Sequence, residues 1–108
     1  MRKPIANAVG LALVLLSFGA LAQTPGDPVA GERRAGMCAG CHGIAGYRNA
    51  YPAYRVPKLG GQHAAYIVSA LKAYQTRQRS HPTMQAIAAS LSDKDMADLG
   101  AYFAAAEK

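Results

Sequence analysis

Two cysteines and a histidine stand together at Cys38-Ala39-Gly40-Cys41-His42, and the 108-residue chain has no other cysteine. Thiols three residues apart share one face of a helical turn. Both can therefore add to the two vinyl groups along one haem edge, and the histidine that follows is placed to ligate the iron from one side of the ring. Small Ala39 and Gly40 let the backbone lie close to the porphyrin edge. Two other chemistries use such residues. A redox-active dithiol of the thioredoxin type is expected beside a β-α-β pattern, and no segment here shows the two-residue alternation of a strand. Structural zinc takes four ligands from paired clusters, whereas only the scattered His63 and His81 remain once the motif is spent. The motif predicts one covalently held haem c, attached through Cys38 and Cys41, with His42 as an iron ligand.

The far side of the iron needs a second ligand. Met84 lies well downstream in a proline-bearing turn, where its thioether can lean over the opposite haem face, and a His/Met pair raises the reduction potential. His81, three residues earlier, is the rival, because imidazole also binds iron. Met37 adjoins Cys38, and Met96 belongs to a helical core stripe, so both read as packing residues. An axial histidine donates its other ring nitrogen to a fixed acceptor. The carbonyl of Pro57, in the loop after the motif, is a candidate; the alternative is a proline that only shapes that loop.

The elements that must position these groups are helical. Asp27-Pro28 reads as an N-cap followed by proline at the first helical position, opening a helix from Pro28 to about Cys41. Gly43 and Gly46 stop it, and residues 43–61 read as an irregular loop punctuated by Pro52, Pro57 and Gly60-Gly61. Ile67, Leu71 and Tyr74 then mark the buried face of a helix over Ala64–Gln78, with Lys72, Gln75, Thr76 and Arg79 turned to water. Ser80-His81-Pro82 ends it, and a short helical turn spans Gln85 to Ala89. Ser92, with Asp95 three residues on, caps a last helix whose inward stripe is Met96, Leu99, Gly100 and Phe103. Gly31 and Ala35 are small enough to let Leu99 and Tyr102 approach the first helix closely. The fold class is all-α.

Residues 1–22 have the three zones of a secretory signal peptide: basic Arg2-Lys3, an apolar run from Ile5, and Ala20-Leu21-Ala22. An uncleaved anchor is the alternative. Cleavage after Ala22 leaves residues 23–108, one small domain of 86 residues with no membrane span. A domain of this size buries too little surface to be stable on side chains alone, so a cofactor is expected to complete its core. The whole chain carries a net charge of +6; without Arg2 and Lys3, ten basic residues face six acidic ones, a charge of +4. That balance steers encounters with acidic partners. Nucleic acid is not indicated, because the arginines are dispersed rather than massed.

The chain resembles the class I c-type cytochromes, most of all the single-haem relatives of the bacterial cytochrome c4 group. The resemblance is carried by Gly31, Cys38 to Gly43, Pro57-Lys58-Leu59-Gly60-Gly61-Gln62, Met84, Leu91-Ser92-Asp93 and Asp98 to Phe103. It implies a small cytochrome c fold in which the N- and C-terminal helices cross and haem fills the core. It also implies that Met84 is the distal ligand and that the Pro57 carbonyl accepts from His42. Cytochrome c4 proper carries two such domains, and this chain has one CxxCH. The function implied is a periplasmic one-electron carrier between respiratory-chain components, with no substrate chemistry of its own. Its partners would be redox proteins with acidic docking surfaces: a bc-type complex, a terminal oxidase, or a periplasmic reductase or dehydrogenase. The competing function is the haem c electron-transfer subunit of a periplasmic dehydrogenase complex. Tyr47, Tyr51 and Tyr54 either shield the haem edge or pack the loop, and Arg48, Arg55 and Lys58 either meet propionates, rim a docking patch or are simply solvated.

Overall fold

Local capping chemistry starts each of the outer helices. In the computed structural model, which describes residues 24–50 and 53–107, α1 runs over Pro28–His42. Asp27 Oδ1 accepts the Val29 N–H at 2.9 Å, and Pro28 loses nothing in the first turn because its missing N–H would be unpaired there. The helix closes where the Gly43 N–H donates to the Ala39 carbonyl at 3.0 Å. The last helix, α4, spans Asp93–Ala105 behind a complete capping box. Asp95 N–H donates to Ser92 Oγ at 3.1 Å, and Ser92 N–H to Asp95 Oδ2 at 2.9 Å. The signal peptide expected over residues 1–22 lies outside the described residues, as do Tyr51 and Pro52.

The two middle helices differ from the sequence expectation. α2 covers Ala64–Gln75 and stops three residues early. Arg77 takes a left-handed backbone, φ 62°, which no helix interior accommodates, and the Arg77 and Arg79 N–H groups fold back onto the Tyr74 and Ala73 carbonyls at 3.1 and 3.0 Å. α3 covers Pro82–Ala89, so Pro82 begins a helix rather than only ending one, and Met84 sits in its first turn rather than between helices. Proline interrupts a helix from within but suits its first position, and the sequence pattern alone does not separate the two. Gln75 also departs from its water-facing expectation. Its Nε2 donates to the Ala88 and Leu91 carbonyls at 3.1 and 2.9 Å, tying α2 to the end of α3.

The first and last helices pack together at α1–α4. A Cβ added to Gly31 would lie 2.1 Å from the Asp98 carbonyl oxygen, so only glycine permits this approach. The surface met there is the Asp98 backbone and the expected Tyr102, at its Cβ, while Leu99 joins Ala35 in the core cluster. The Asp98 carboxylate is buried in the same contact. It accepts the Asp27 N–H at 2.8 Å and Lys94 Nζ at 2.6 Å, so no buried charge is left unpaired. α2 rests on α4 beside Gly100. Met96 and Leu99 of the α4 stripe are completely buried, and with Ala35, Cys38, Ile67, Leu71 and Leu91 they form one core cluster. Regular structure among the described residues is helical; β pairing is confined to a single bridge between Arg48 and Arg55.

Candidate haem site

The end of α1, the loop beyond it, the inner face of α2 and the start of α3 enclose a cavity of about 570 Å³, within the range of cofactor pockets. Cys38, Cys41, His42, Pro57 and Met84 all line it. The structure therefore gathers these five residues around one space, although the whole of α2 separates Met84 from the motif along the chain. The remaining walls include Ile67, Leu71, Leu99 and Phe103, which also belong to or border the apolar core.

Both cysteines lie in the last turn of α1, Cys38 buried and Cys41 exposed. Burial pushes the Cys38 thiol up, because a thiolate is poorly solvated there.

His42 is the last residue of α1, and its Nδ1 lies 2.6 Å from the Pro57 carbonyl oxygen. A carbonyl only accepts, so the ring proton must sit on Nδ1. The neutral ring then has its lone pair on Nε2, the tautomer that an Nε2-ligated iron requires. Met84 is half-buried and packs against the core cluster. A ring nitrogen made bare by an outer hydrogen bond, two thiols one helical turn apart, a soft thioether and an apolar cavity together form a donor set that fits haem c.

The basic groups are distributed unevenly. Arg55, Lys58 and Arg79 line the cavity and no acidic side chain does. The three ion pairs among the described residues, Arg34–Asp95, Lys72–Asp93 and Lys94–Asp98, all involve α4. The signal was present in the sequence, where no Asp or Glu occurs between Glu32 and Asp93, yet a total of charges hides it. Arg48 and Arg55 also share a hairpin, with the Asn49 N–H on the Tyr54 carbonyl at 2.8 Å and the Val56 N–H on the Tyr47 carbonyl at 3.1 Å. Tyr54 lines the cavity from this hairpin. His81 lines it as well, and its Nδ1 accepts the Met84 N–H at 3.3 Å, a role outside the usual set of capping side chains.

The family model for cytochrome c matches residues 29–106. The chain is 37% identical over 92 residues to cytochrome c4 of Pseudomonas aeruginosa, covering 85% of this chain and 44% of that protein. It is 44% identical over 85 residues to cytochrome c-554(548) of Halomonas halodenitrificans, covering 76% of this chain and 99% of that one. The crystal structure of reduced recombinant cytochrome c4 from Pseudomonas stutzeri superposes with a TM-score of 0.57 at 28% identity, over 77% of this chain and 51% of that chain. The chain thus spans about half the length of the cytochrome c4 relatives and nearly all of cytochrome c-554(548).

Proposed function

The chain belongs to the cytochrome c family, as a class I c-type cytochrome of the cytochrome c4 group that carries haem c, and on that premise we propose a periplasmic one-electron shuttle between respiratory-chain components. In this reading residues 1–22 are a cleaved signal peptide and residues 23–108 the working domain. Cys38 and Cys41 hold the haem, His42 and Met84 are its axial ligands, and the Pro57 carbonyl fixes the His42 ring. When bound, the haem supplies a one-electron ferrous/ferric couple.

The observation that carries this reading is the hydrogen bond from His42 Nδ1 to the Pro57 carbonyl, beside a cavity shared with Cys38, Cys41 and Met84. The bond holds the imidazole in one tautomer and one orientation, so the ligand does not have to reorganise when the iron changes charge. A thioether from Met84 adds no charge, and apolar walls disfavour the more charged ferric state; both raise the potential. Arg55, Lys58 and Arg79 beside the cavity favour a partner with an acidic docking surface. Among the described residues no helix is long and apolar enough to cross a membrane.

Redox-titrated absorption spectroscopy of the mature protein tests the assignment. The expected result is a haem c spectrum, a one-electron wave, a sulfur-to-iron charge-transfer band in the ferric state, and loss of that band with a lower potential in Met84→Ala. An unchanged spectrum in Met84→Ala assigns the distal position to His81 instead, and rapid carbon monoxide binding by the unmodified ferrous protein at neutral pH overturns Met84 ligation. Salt separates shuttle from subunit. Release from partners at high ionic strength is expected of a shuttle, whereas co-purification with a catalytic subunit at high salt identifies a dehydrogenase component.

A further inference from the structure

We propose that His81 is a positioning residue for the distal ligand: it anchors the turn that presents Met84 and is itself withheld from the iron by the same hydrogen bond. The inference rests on Met84 being the ligand. It starts from the first turn of α3, where backbone N–H groups have no helical partner. Pro82 has none to satisfy, and the Met84 N–H is taken by His81 Nδ1 at 3.3 Å. The Gln85 N–H donates to the His81 carbonyl at 2.8 Å, and Gln85 Nε2 to the Arg79 carbonyl at 3.2 Å. Residues 79–85 are thereby tied to each other around Met84.

The ring that makes this cap is held from two sides. Tyr54, from the loop hairpin, meets it edge-on with centroids 4.8 Å apart, and Tyr74, from α2, does so at 6.4 Å. The Arg79 guanidinium covers the Tyr74 ring at 4.6 Å. Two separate segments therefore converge on an imidazole whose bonding target is the backbone of the ligand residue. A methionine side chain is unbranched and has several freely rotating bonds. Fixing its backbone beforehand reduces the ordering needed for its sulfur to stay on the iron.

The two histidines at the cavity are opposite tautomers. His42 spends its ring proton on the Pro57 carbonyl and keeps Nε2 bare. His81 accepts at Nδ1, so in the neutral ring the proton is on Nε2. The bare nitrogen of His81 is thus already engaged, and the other is blocked by hydrogen. Two imidazoles near one cavity are sorted into a ligand and a support by their backbone partners rather than by distance from the cofactor.

The test uses the haem-loaded mature protein with His81→Ala, His81→Asn and Met84→Ala. Loss of a capping side chain is worth a factor of about five in the stability of a helix start, and asparagine is a good cap. His81→Ala is expected to bind carbon monoxide in the ferrous state about fivefold faster, with a weaker ferric sulfur-to-iron band and a lower potential. His81→Asn should return the rate to within about twofold of the unmodified protein. If His81→Ala does not fold, His81→Gln carries the same expectation as the alanine variant, since it keeps bulk between the tyrosines but caps poorly. Unmodified carbon monoxide kinetics and an unchanged band in His81→Ala, alongside an opened iron in Met84→Ala, overturn the positioning role alone. An unchanged spectrum in Met84→Ala overturns the ligand assignment beneath it.

Discussion

The α1–α4 contact and the cavity-bearing half of the molecule solve different problems with the same short chain. At α1–α4 the protein completes its own packing: Gly31 admits the Asp98 backbone, and the Asp98 carboxylate is buried with both partners supplied by the chain. Around the cavity, α2, α3 and the loop after α1 surround a space of about 570 Å³ whose walls include core residues Ile67, Leu71 and Leu99. Close packing is the rule in protein interiors, so the second half is a core designed around something other than side chains. Stability in one region is intrinsic, and in the other it is conditional on the cofactor.

The largest test of this contrast removes the attachment. Replacing Cys38 and Cys41 with Ala should lower the folding free energy by about 5 kcal/mol or more, most of what a domain of this size has. Hydrogen exchange should then show protection surviving longest in α1 and α4 and lost first in α3 and the loop. Equal loss throughout would erase the distinction between the two regions.

A smaller test stays within α1. Gly31→Ala places a methyl group against the Asp98 backbone, which cannot move aside cheaply, and should destabilise the haem-loaded protein by about 3 kcal/mol. Gly36→Ala, where a Cβ would meet nothing within 4 Å, should stabilise it by about 0.5–1 kcal/mol through helix propensity. Denaturant unfolding measures both, and similar effects at the two positions would contradict the packing described.

The sequence revealed most where the controlling contact is local. Asp27-Pro28 and Ser92 with Asp95 announce their helices because cap and capped group lie within three residues. The attachment motif is equally local. Met84 was legible only as a methionine at a suitable distance, and its companion His81 was legible as a rival ligand, because its hydrogen bond depends on a helix beginning at Pro82. Gln75 shows the same limit from the other side. Its position on the helix wheel is polar and outward, but the end of α3 and the turn after it cover it with the Ala88 and Leu91 carbonyls, both acceptors for its Nε2. The early end of α2 has no strong sequence signal at all, since Arg77 is not a residue that favours a left-handed backbone.

The smallest expected effect concerns acid. The Lys94 ammonium and the Asp27 N–H hold the Asp98 carboxyl below the usual carboxylate range, with burial opposing them. The Ser92 N–H lowers Asp95 in the same way. A carboxyl whose value is lower in the folded protein than in the unfolded chain favours folding above about pH 4, and that contribution disappears as pH falls through the folded value. Asp98→Asn should therefore flatten the acid limb of a melting-temperature profile while leaving the haem spectrum at neutral pH unchanged. An equally steep limb in the variant would move the acid sensitivity away from the α1–α4 contact.

The stretch from residue 33 to residue 92 without a carboxylate has a consequence for motion before contact. With every Asp and Glu outside that stretch and Arg55, Lys58 and Arg79 beside the cavity, the molecule is an electric dipole as well as a net cation. In the field of an acidic partner such a body experiences a torque, and it turns its positive end forward while still separated by a layer of water. Most collisions would then begin already aimed, which shortens the rotational search that otherwise limits how often an approach becomes a transfer.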